Sequence, residues 1–262
     1  MLARFFADTL QLGVAQAMVT FVLALAVVYV ARRQGIHLER ESIVALIRGF
    51  IQIVLVGSIL VFLFRGPSWA SVFILFLMML AAAGTAARRA RGVSGAFVIS
   101  FYGIAGGAGI VIVLMTWLGA IDPRMASLVP VGSMVIASAM NSNAIALERF
   151  RAEMKSQVGY IEAGLALGAA PDRVVAPYVQ AAVGAGMIPR IDTLRALGIV
   201  WIPGLMAGMI LAGSDPVYAA IYQFVVVGMI FAASGLTSVI SALLIRGRAF
   251  SPAEQLQLSV QE

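Results

Sequence analysis

A chain of 262 residues, 61% hydrophobic and only 11% charged, is not a water-soluble globule, because soluble domains are nearer half apolar and a quarter charged. The composition predicts a polytopic membrane protein. The absence of cysteine excludes disulfides, thiolate metal sites and haem attachment. No basic stretch leaves the membrane as a folded domain, so the net charge of +6 does not indicate nucleic-acid binding.

Seven hydrophobic segments are long enough to cross a membrane as helices, which takes about 20 residues for a hydrocarbon core roughly 30 Å thick. In chain order they are Leu12–Ala31, Ile43–Phe64, Trp69–Ala86, Ala96–Leu118, Ser127–Ala146, Thr193–Leu211 and Pro216–Ile245. Such continuous runs argue against the short alternating strands of a β-barrel. We therefore expect an all-α bundle of seven transmembrane helices, with residues 1–262 forming one domain.

The first segment could be mistaken for a signal peptide. Its apolar core is too long, and Arg32-Arg33 follow it where a cleavage site would have small residues. We expect it to be a retained span.

Basic residues accumulate on the cytoplasmic side of bacterial-type membrane proteins. With the amino terminus outside, 14 of the 18 lysines and arginines fall in inner segments. These are Arg32, Arg33, Arg40, Arg88, Arg89, Arg91, Arg149, Arg151, Lys155, Arg173, Arg190, Arg195, Arg246 and Arg248. The outer segments hold Arg4, Arg65 and Arg124. The distribution predicts a multi-pass inner (plasma) membrane protein with its carboxy terminus in the cytoplasm.

Polar residues inside the predicted spans are candidates for a translocation path. Arg48 is the only charge more than three residues inside a predicted span, and Gln52 follows one helical turn later. A cation in the membrane is a functional candidate by default, although Arg48 is close enough to the cytoplasmic end to snorkel. The fifth span carries thioether and amide side chains that suit a weakly held metal ion; they are Met134, Met140, Asn141 and Asn143. Their alternative roles are gap filling and hydrogen bonding between helices.

Small residues and turn chemistry give further expectations. Gly103 and Gly107 are four residues apart, as are Gly204 and Gly208, a spacing that lets helix backbones approach closely, within one bundle or between subunits. Asp215, or Ser214 before it, is placed to cap the seventh helix.

A polar region of about forty residues, 147–190, interrupts the hydrophobic pattern. It begins with an apolar stripe at helical spacing, which predicts an amphipathic helix continuing from the fifth span; the stripe is Leu147, Phe150, Met154, Val158, Ile161 and Leu165. Arg149 and Glu153 are four residues apart and can pair. Gly168 and Pro171 are expected to end this helix. The region is either a docking handle for another protein or a helical hairpin packed beneath the bundle.

The remainder of this region predicts another helix, Arg173–Gly186, capped by Asp172. Pro189 is then expected to mark the return of the chain to the membrane.

Enzymatic chemistry is not supported by the residues present. His37 is the only histidine, so no Ser–His or Cys–His pair and no zinc-protease motif can form. Lys155 is the only lysine and does not lie in a phosphate-binding loop, so any ATP hydrolysis needs another polypeptide. A proton- or sodium-driven carrier is less favoured because the carboxylates lie at span ends or in loops; among them are Asp8, Asp122, Glu148, Asp192 and Asp215.

Several stretches in the second half of the chain resemble the Fet family of ABC-transporter permeases, the FetB type related to plant aluminium-tolerance membrane subunits. The matching stretches are Pro130–Met134, Met140-Asn141, Ala146–Phe150, Ile161–Ala169, Met187–Pro189, Pro203–Gly208 and Ala212–Pro216. In the first half the resemblance is limited to Arg48, Gln52 and the layout of the spans.

The resemblance implies a permease that pairs with a second copy of itself and with two FetA-type ATPase subunits, which bind ATP and Mg. It also implies iron export. Glu162, Ala163, Gly168 and Ala169 are similar to the cytoplasmic coupling segment of ABC importers. The chain itself is expected to bind no cofactor.

Other functions remain open on the sequence. They are an ABC permease for a lipid or another small solute, and an ATP-independent metal or solute carrier. A membrane scaffold would explain neither Arg48 nor Asn141.

Overall fold

The computed structural model describes residues 9–37, 39–63, 66–90, 95–248 and 250. Arg4, Asp8, Phe64, Arg65 and Arg91, used above, lie outside the described residues. The described chain is built of helices, which confirms the all-α fold, and it divides into two compact units, Met1–Gly66 and Pro67–Glu262.

The first unit is a helical hairpin of α1 (Thr9–Arg33) and α2 (Glu39–Leu63). An ion pair of 3.4 Å between Arg32 Nε and Glu39 Oε1 joins the two helices across the turn. Phe21 and Phe50 make an edge-to-face contact with ring centroids 5.9 Å apart. No residue of α1 is buried, as expected for a hydrophobic helix whose surface contacts lipid rather than water.

The second unit contains the remaining helices, which enter the bundle in chain order. They are α3 (Ser68–Arg89), α4 (Ala96–Ile104), a π-helical turn (Ala105–Gly109), α5 (Ile110–Trp117), α6 (Met125–Ser156), α7 (Val158–Ala166), α8 (Pro171–Ala196), α9 (Gly204–Leu211) and α10 (Pro216–Arg246). Helix α10 is central and packs against α4, the π turn, α5, α6, α8 and α9. Asp215 begins α10 by accepting a 2.9 Å hydrogen bond from the Tyr218 amide, which confirms the predicted cap.

Two apolar clusters fill the second unit. The larger one lies between α3, α4, α6 and α10 and includes Ile104, Val135 and Val226. The smaller one joins the later turns of α6 to α7, α8 and the end of α10, and it contains the predicted stripe residues Leu147, Phe150, Met154 and Ile161, all fully buried. The stripe therefore faces protein, and the Arg149–Glu153 ion pair on the opposite face, at 2.5 Å, is also confirmed.

The long helices of the second unit run between two ends. At the α7 end, defined by Gly95, Gln157–Ala170 and Gly247, Arg246 Nε lies 3.1 Å from Asp172 Oδ1, and the Arg248 guanidinium donates to the Gly95 carbonyl at 3.5 Å. The α9 end is defined by Leu118–Arg124 and Leu197–Asp215. The position of Asp172 inside the first turn of α8 corrects the predicted cap, because α8 begins at Pro171 after Ala170.

The predicted sixth span, Thr193–Leu211, is wrong. These residues are divided between the last turn of α8, an irregular segment and the eight-residue α9, which at 1.5 Å per residue spans only about 12 Å. The sixth candidate span is instead Pro171–Ala196, which continues through Pro189 and packs against α6 and α10. The predicted region 147–190 therefore contains most of this span, and Gln157–Ala170 is what connects the two long helices.

Among the described residues, seven helices are long and apolar enough to cross a membrane. The other six predicted spans agree with them within a few residues, except that α6 continues to Ser156. The new sixth span moves Arg190 and Arg195 from the α7 end to the α9 end. The α7 end still holds most of the basic residues of this unit, namely Arg88, Arg89, Arg149, Arg151, Lys155, Arg173, Arg246 and Arg248.

Candidate functional site

The short α7 helix and the turn after it form a tip between the two long helices α6 and α8. The turn is closed by hydrogen bonds from the Gly168 amide to the Leu165 carbonyl, 2.9 Å, and from the Ala169 amide to the Gly164 carbonyl, 3.0 Å. This is the Schellman arrangement, which needs a left-handed residue after the helix. Gly168 supplies it with φ of +82°, a conformation that glycine adopts without a steric penalty.

The tip is fixed on one face and exposed on the other. Ile161 is fully buried, and a Cβ added to Gly164 would lie 3.2 Å from Val174 of α8, so the two helices are in close contact there. The opposite face presents Tyr160 and Leu167, which are 78% and 89% exposed. The predicted coupling residues Glu162, Ala163, Gly168 and Ala169 are all exposed on this tip.

The residues predicted to line a path belong to different units. Arg48 and Gln52 lie on an exposed face of α2 in the first unit, beside a shallow depression formed with Val44, Ile47 and Ile51. Met134, Met140 and Asn141 lie on α6 in the second unit and are half-buried. The two methionines pack against the larger apolar cluster, as gap-filling side chains do.

Of the most deeply buried polar groups, sequence reasoning identified only Asn143. Ser142 and Asn143, next to Asn141 on α6, are fully buried, and their side-chain atoms make no hydrogen bond to the described residues. Four hydroxyl residues on α10 share this property; they are Ser234, Thr237, Ser238 and Ser241. Their spacing places them on one face of α10, and this spacing is the signal that could have identified them. We call these six residues the polar seam.

Glycines on the neighbouring helices bring backbone against the polar seam. A Cβ on Gly103 would collide with the Ser241 hydroxyl, and one on Gly107 would lie 2.5 Å from the Thr237 amide nitrogen. On α8, a Cβ on Gly186 would lie 2.8 Å from the Ser142 carbonyl and 2.9 Å from the Ser238 hydroxyl. The Gly103–Gly107 pair therefore serves packing within the bundle.

The second glycine pair behaves differently. Gly204 and Gly208 on α9 have no described atom within 4 Å of an added Cβ. The structure therefore assigns them no packing role within the second unit.

Arg190 is a second cation within a candidate span, near its α9 end, and the sequence pattern had placed it in a loop. It lies inside α8, and its half-buried side chain has a buried Nε atom with no hydrogen bond to the described residues. An ionisable residue within a span is a functional candidate by default. It was missed because α8 was not recognised as a span.

A cavity of about 580 Å³ opens at the α9 end between the α5–α6 turn, α9 and the start of α10. Its wall includes Asp122, Arg124, Tyr218, Tyr222 and Met209. The exposed Arg124 side chain hydrogen-bonds to Asp122 and lowers the pKa of that carboxyl group. Asp122 is thus an anion already neutralised by its neighbour rather than a free ligand.

The described residues contain no group of three or more histidine, cysteine, aspartate or glutamate side chains that could hold a metal ion. Among the described residues of the second unit, the fully buried polar side chains are neutral hydroxyl and amide groups, and half-buried methionines add sulfur. Such groups give a weak and exchangeable environment, which suits passage rather than storage of a cation.

The sequence matches the family described as "Uncharacterised protein family (UPF0014)" over residues 14–250. The chain is 32% identical to "UPF0014 membrane protein STAR2" of Oryza sativa subsp. japonica, over 92% of this chain and 85% of the relative. It is 29% identical to "Protein ALUMINUM SENSITIVE 3" of Arabidopsis thaliana, over 95% of this chain and 91% of the relative.

A bacterial relative carries a functional name. The chain is 28% identical to "Probable iron export permease protein FetB" of Escherichia coli (strain K12), over 89% of this chain and 91% of the relative. No solved structure matches the chain. The relatives and the seven apolar helices together identify a multi-pass membrane protein.

Proposed function

Since the chain belongs to the UPF0014 family of membrane proteins, we propose that it is the permease subunit of an ABC transporter. It acts as a homodimer with two separate FetA-type ATPase subunits, which bind ATP and Mg. It lies in the inner membrane with its amino terminus outside and its carboxy terminus in the cytoplasm. Its cargo is iron or a related metal ion, moved outward, in line with the name of the FetB relative.

The observation that carries this proposal is the tip formed by α7 and the Gly168 turn. A short helix that connects two long spans, at the more basic end of the second unit, has no role in crossing a bilayer. Its exposed Tyr160 and Leu167 form an apolar surface of the kind that fits a groove in another protein. Its buried Ile161 fixes that surface to the bundle, so a force on the tip reaches α6 and α8.

Coupling of this kind requires that the permease has two states and that the ATPase binds them with different affinities. The tip meets the structural side of this requirement because it is anchored by packing rather than by a flexible loop. The cargo assignment is supported by the neutral oxygen and thioether groups inside the second unit, which can release an ion.

Copurification with the ATPase tests the proposed partner. Glu162→Arg combined with Gly168→Val should abolish copurification, because it reverses a charge on the tip and forces a β-branched residue into a left-handed turn. Leu167→Glu should do the same by placing a charge in the apolar contact. Ile199→Glu is the matched control, since Ile199 is an equally exposed aliphatic residue, at 86%, but lies at the α9 end.

Normal copurification and ATP-driven transport by the tip variants would reject the proposed docking site. Uphill transport by vesicles that contain only this chain would reject the ABC assignment altogether and favour a secondary carrier. Stimulation of ATPase activity by individual metal ions in reconstituted vesicles tests the cargo.

A further inference from the structure

The polar seam gives a membrane-spanning helix an unusually polar buried face. Ser234, Thr237, Ser238 and Ser241 are completely buried on α10, and none of their hydroxyl groups has a hydrogen-bond partner among the described residues. Buried polar groups in folded proteins are nearly always paired, because an unpaired one costs free energy. Six neighbouring residues in this condition, two of them on α6, need an explanation.

Five other hydroxyl residues of the same chain show an arrangement that the seam hydroxyls do not adopt. Thr20, Ser58, Thr85, Thr116 and Thr193 each donate to the carbonyl four residues earlier in their own helix, at 2.8 to 3.0 Å. This bond is open to any serine or threonine within a helix. The seam hydroxyls do not make it, so they remain available for a partner that comes from outside α10.

The helices around the seam meet it with backbone instead of side chains. Gly103 and Gly107 face α10 from α4 and the π turn, and Gly186 faces it from α8. Because glycine provides no side chain to interlock with α10, these contacts can separate and re-form without repacking. The π-helical turn Ala105–Gly109 is itself an irregularity of the kind often found at functional sites.

The seam reaches towards the α7 end and is closed towards the α9 end. Ser234 and Ser241 are about 10 Å apart along α10, at 1.5 Å per residue, and Ser241 lies little more than one turn before Arg246. In the other direction, buried Val226, Val227 and Ile230 separate the seam from the cavity beside Tyr222. An apolar constriction between polar segments is a known way to gate a path by excluding water.

We propose that the polar seam is the closed form of the cargo path, which opens between α10 and the glycine faces of α4, the π turn and α8. This inference rests on the proposed transport function and deepens it. When the seam opens, its hydroxyl and amide groups are hydrated or bind the cargo. The path then presents neutral oxygen ligands and no fixed charge, which suits a cation that exchanges some of its water shell and moves on.

Cysteine labelling tests the path directly, since the chain has no cysteine of its own. Ser234, Ser238 and Ser241 are changed one at a time to cysteine, a near-isosteric substitution. Ala233→Cys and Ala242→Cys are the matched controls, because both alanines are buried on α10 at the two ends of the seam and lie at the edges of its polar face. The probe is a positively charged methanethiosulfonate reagent, applied to permeabilised membranes that contain the permease with a FetA-type ATPase of the same source.

The seam cysteines should react at least tenfold faster than the two control cysteines in one nucleotide condition, with or without ATP. Reaction as slow as that of the controls in both conditions would overturn the proposal. Copurification of the ATPase in the same membranes separates the two hypotheses. If the ATPase copurifies but the seam cysteines do not react, only the proposed path is rejected. If the seam cysteines react but no ATPase copurifies, the path stands and the ABC assignment is rejected.

A second variant tests the proposed path without chemical labelling. Ser238→Ala deletes a buried hydroxyl that has no partner among the described residues in the closed state. The variant should be as thermally stable as the parent, or more so, and yet transport at least several-fold more slowly. Lower stability with unchanged transport would show that the hydroxyl serves packing and would overturn its place in the path.

Discussion

The contact between α10 and the glycine face of α4 and the π turn can be tested by adding single methyl groups. In Gly107→Ala the new Cβ meets the Thr237 side-chain oxygen and lies 2.5 Å from the Thr237 amide nitrogen and 2.8 Å from its Cα. Because non-bonded atoms pack best at about 3.5–4 Å, the backbones must separate by about 1 Å. Overpacking of this kind costs about 1–3 kcal/mol. For a chain of this size that corresponds to a loss of roughly 2–12 °C in apparent melting temperature.

Gly103→Ala should cost a similar amount for a different reason. Its new Cβ collides with the Ser241 hydroxyl, a side-chain atom, and the next nearest atoms are the Ser241 Cβ at 3.2 Å and the Thr237 carbonyl at 3.4 Å. Ser241→Ala should therefore rescue Gly103→Ala, with a coupling free energy of about 1–2 kcal/mol. Thr237→Ala should rescue Gly107→Ala poorly, because the backbone of residue 237 remains in the way.

Stability is measured by heating a fluorescent fusion of the protein in detergent. The loss of its monodisperse peak in size-exclusion chromatography gives the apparent melting temperature. Gly106→Ala is the control, since its Cβ would lie 3.0 Å from the flexible Cδ1 end of Ile240. An apparent melting temperature of Gly107→Ala equal to that of the control would refute the predicted clash. So would a rescue of Gly107→Ala stability by Thr237→Ala that is as complete as the rescue of Gly103→Ala by Ser241→Ala.

Three further predictions concern topology, coupling and the path. Cysteines at Leu167 and Ile199 should react with an impermeant reagent from opposite sides of the membrane; reaction from the same side would contradict α8 as a span. Reversing either charge of the Asp172–Arg246 pair should slow ATP-driven transport, and reversing both charges should restore it. The free energy of unfolding should change by under about 1 kcal/mol, because the pair is partly exposed. Normal transport by both single variants would exclude a coupling role. Asn141→Leu should reduce flux without impairing assembly, and unchanged flux would assign this half-buried amide to packing.

The hydrophobic pattern was sufficient wherever a span is strongly apolar along its whole length. Helices α1, α2, α3 and α10 and the α4–α5 segment have mean hydropathies of 2.0 to 2.3, and their predicted bounds are close to the observed ones. Helix α8 has a mean hydropathy of only 1.2. It carries Asp172 and Arg173 at one end and Arg190, Asp192 and Arg195 at the other, which made it resemble a polar loop.

The more apolar segment Thr193–Leu211 was predicted to be a span because composition alone does not show whether a segment crosses the bundle or stays at one end of it. The segment between α8 and α10 contains only the short α9, which packs against α10, so the chain leaves α8 and enters α10 at the same end of the bundle. Only the packing of α8 against α6 and α10 decides which of the two segments crosses.

The tip and the seam differ in how far the sequence could identify them. Gly168, followed closely by Pro171, predicts a turn from local chemistry alone, and the structure has that turn. The seam depends on contacts between distant regions of the chain. Ser238 and Ser241 are ordinary helix residues until α8 and α4 bring Gly186 and Gly103 against them.

The ion pair between Arg246 and Asp172 has a mechanical consequence. Asp172 follows the Gly168 turn by four residues, and Arg246 ends the helix that carries the seam hydroxyls. A movement of the tip can therefore pull on the end of α10 through this pair, at a point about 8 Å of helix rise from Ser241. If the seam opens as proposed, this one ion pair links that opening to whatever docks on the tip.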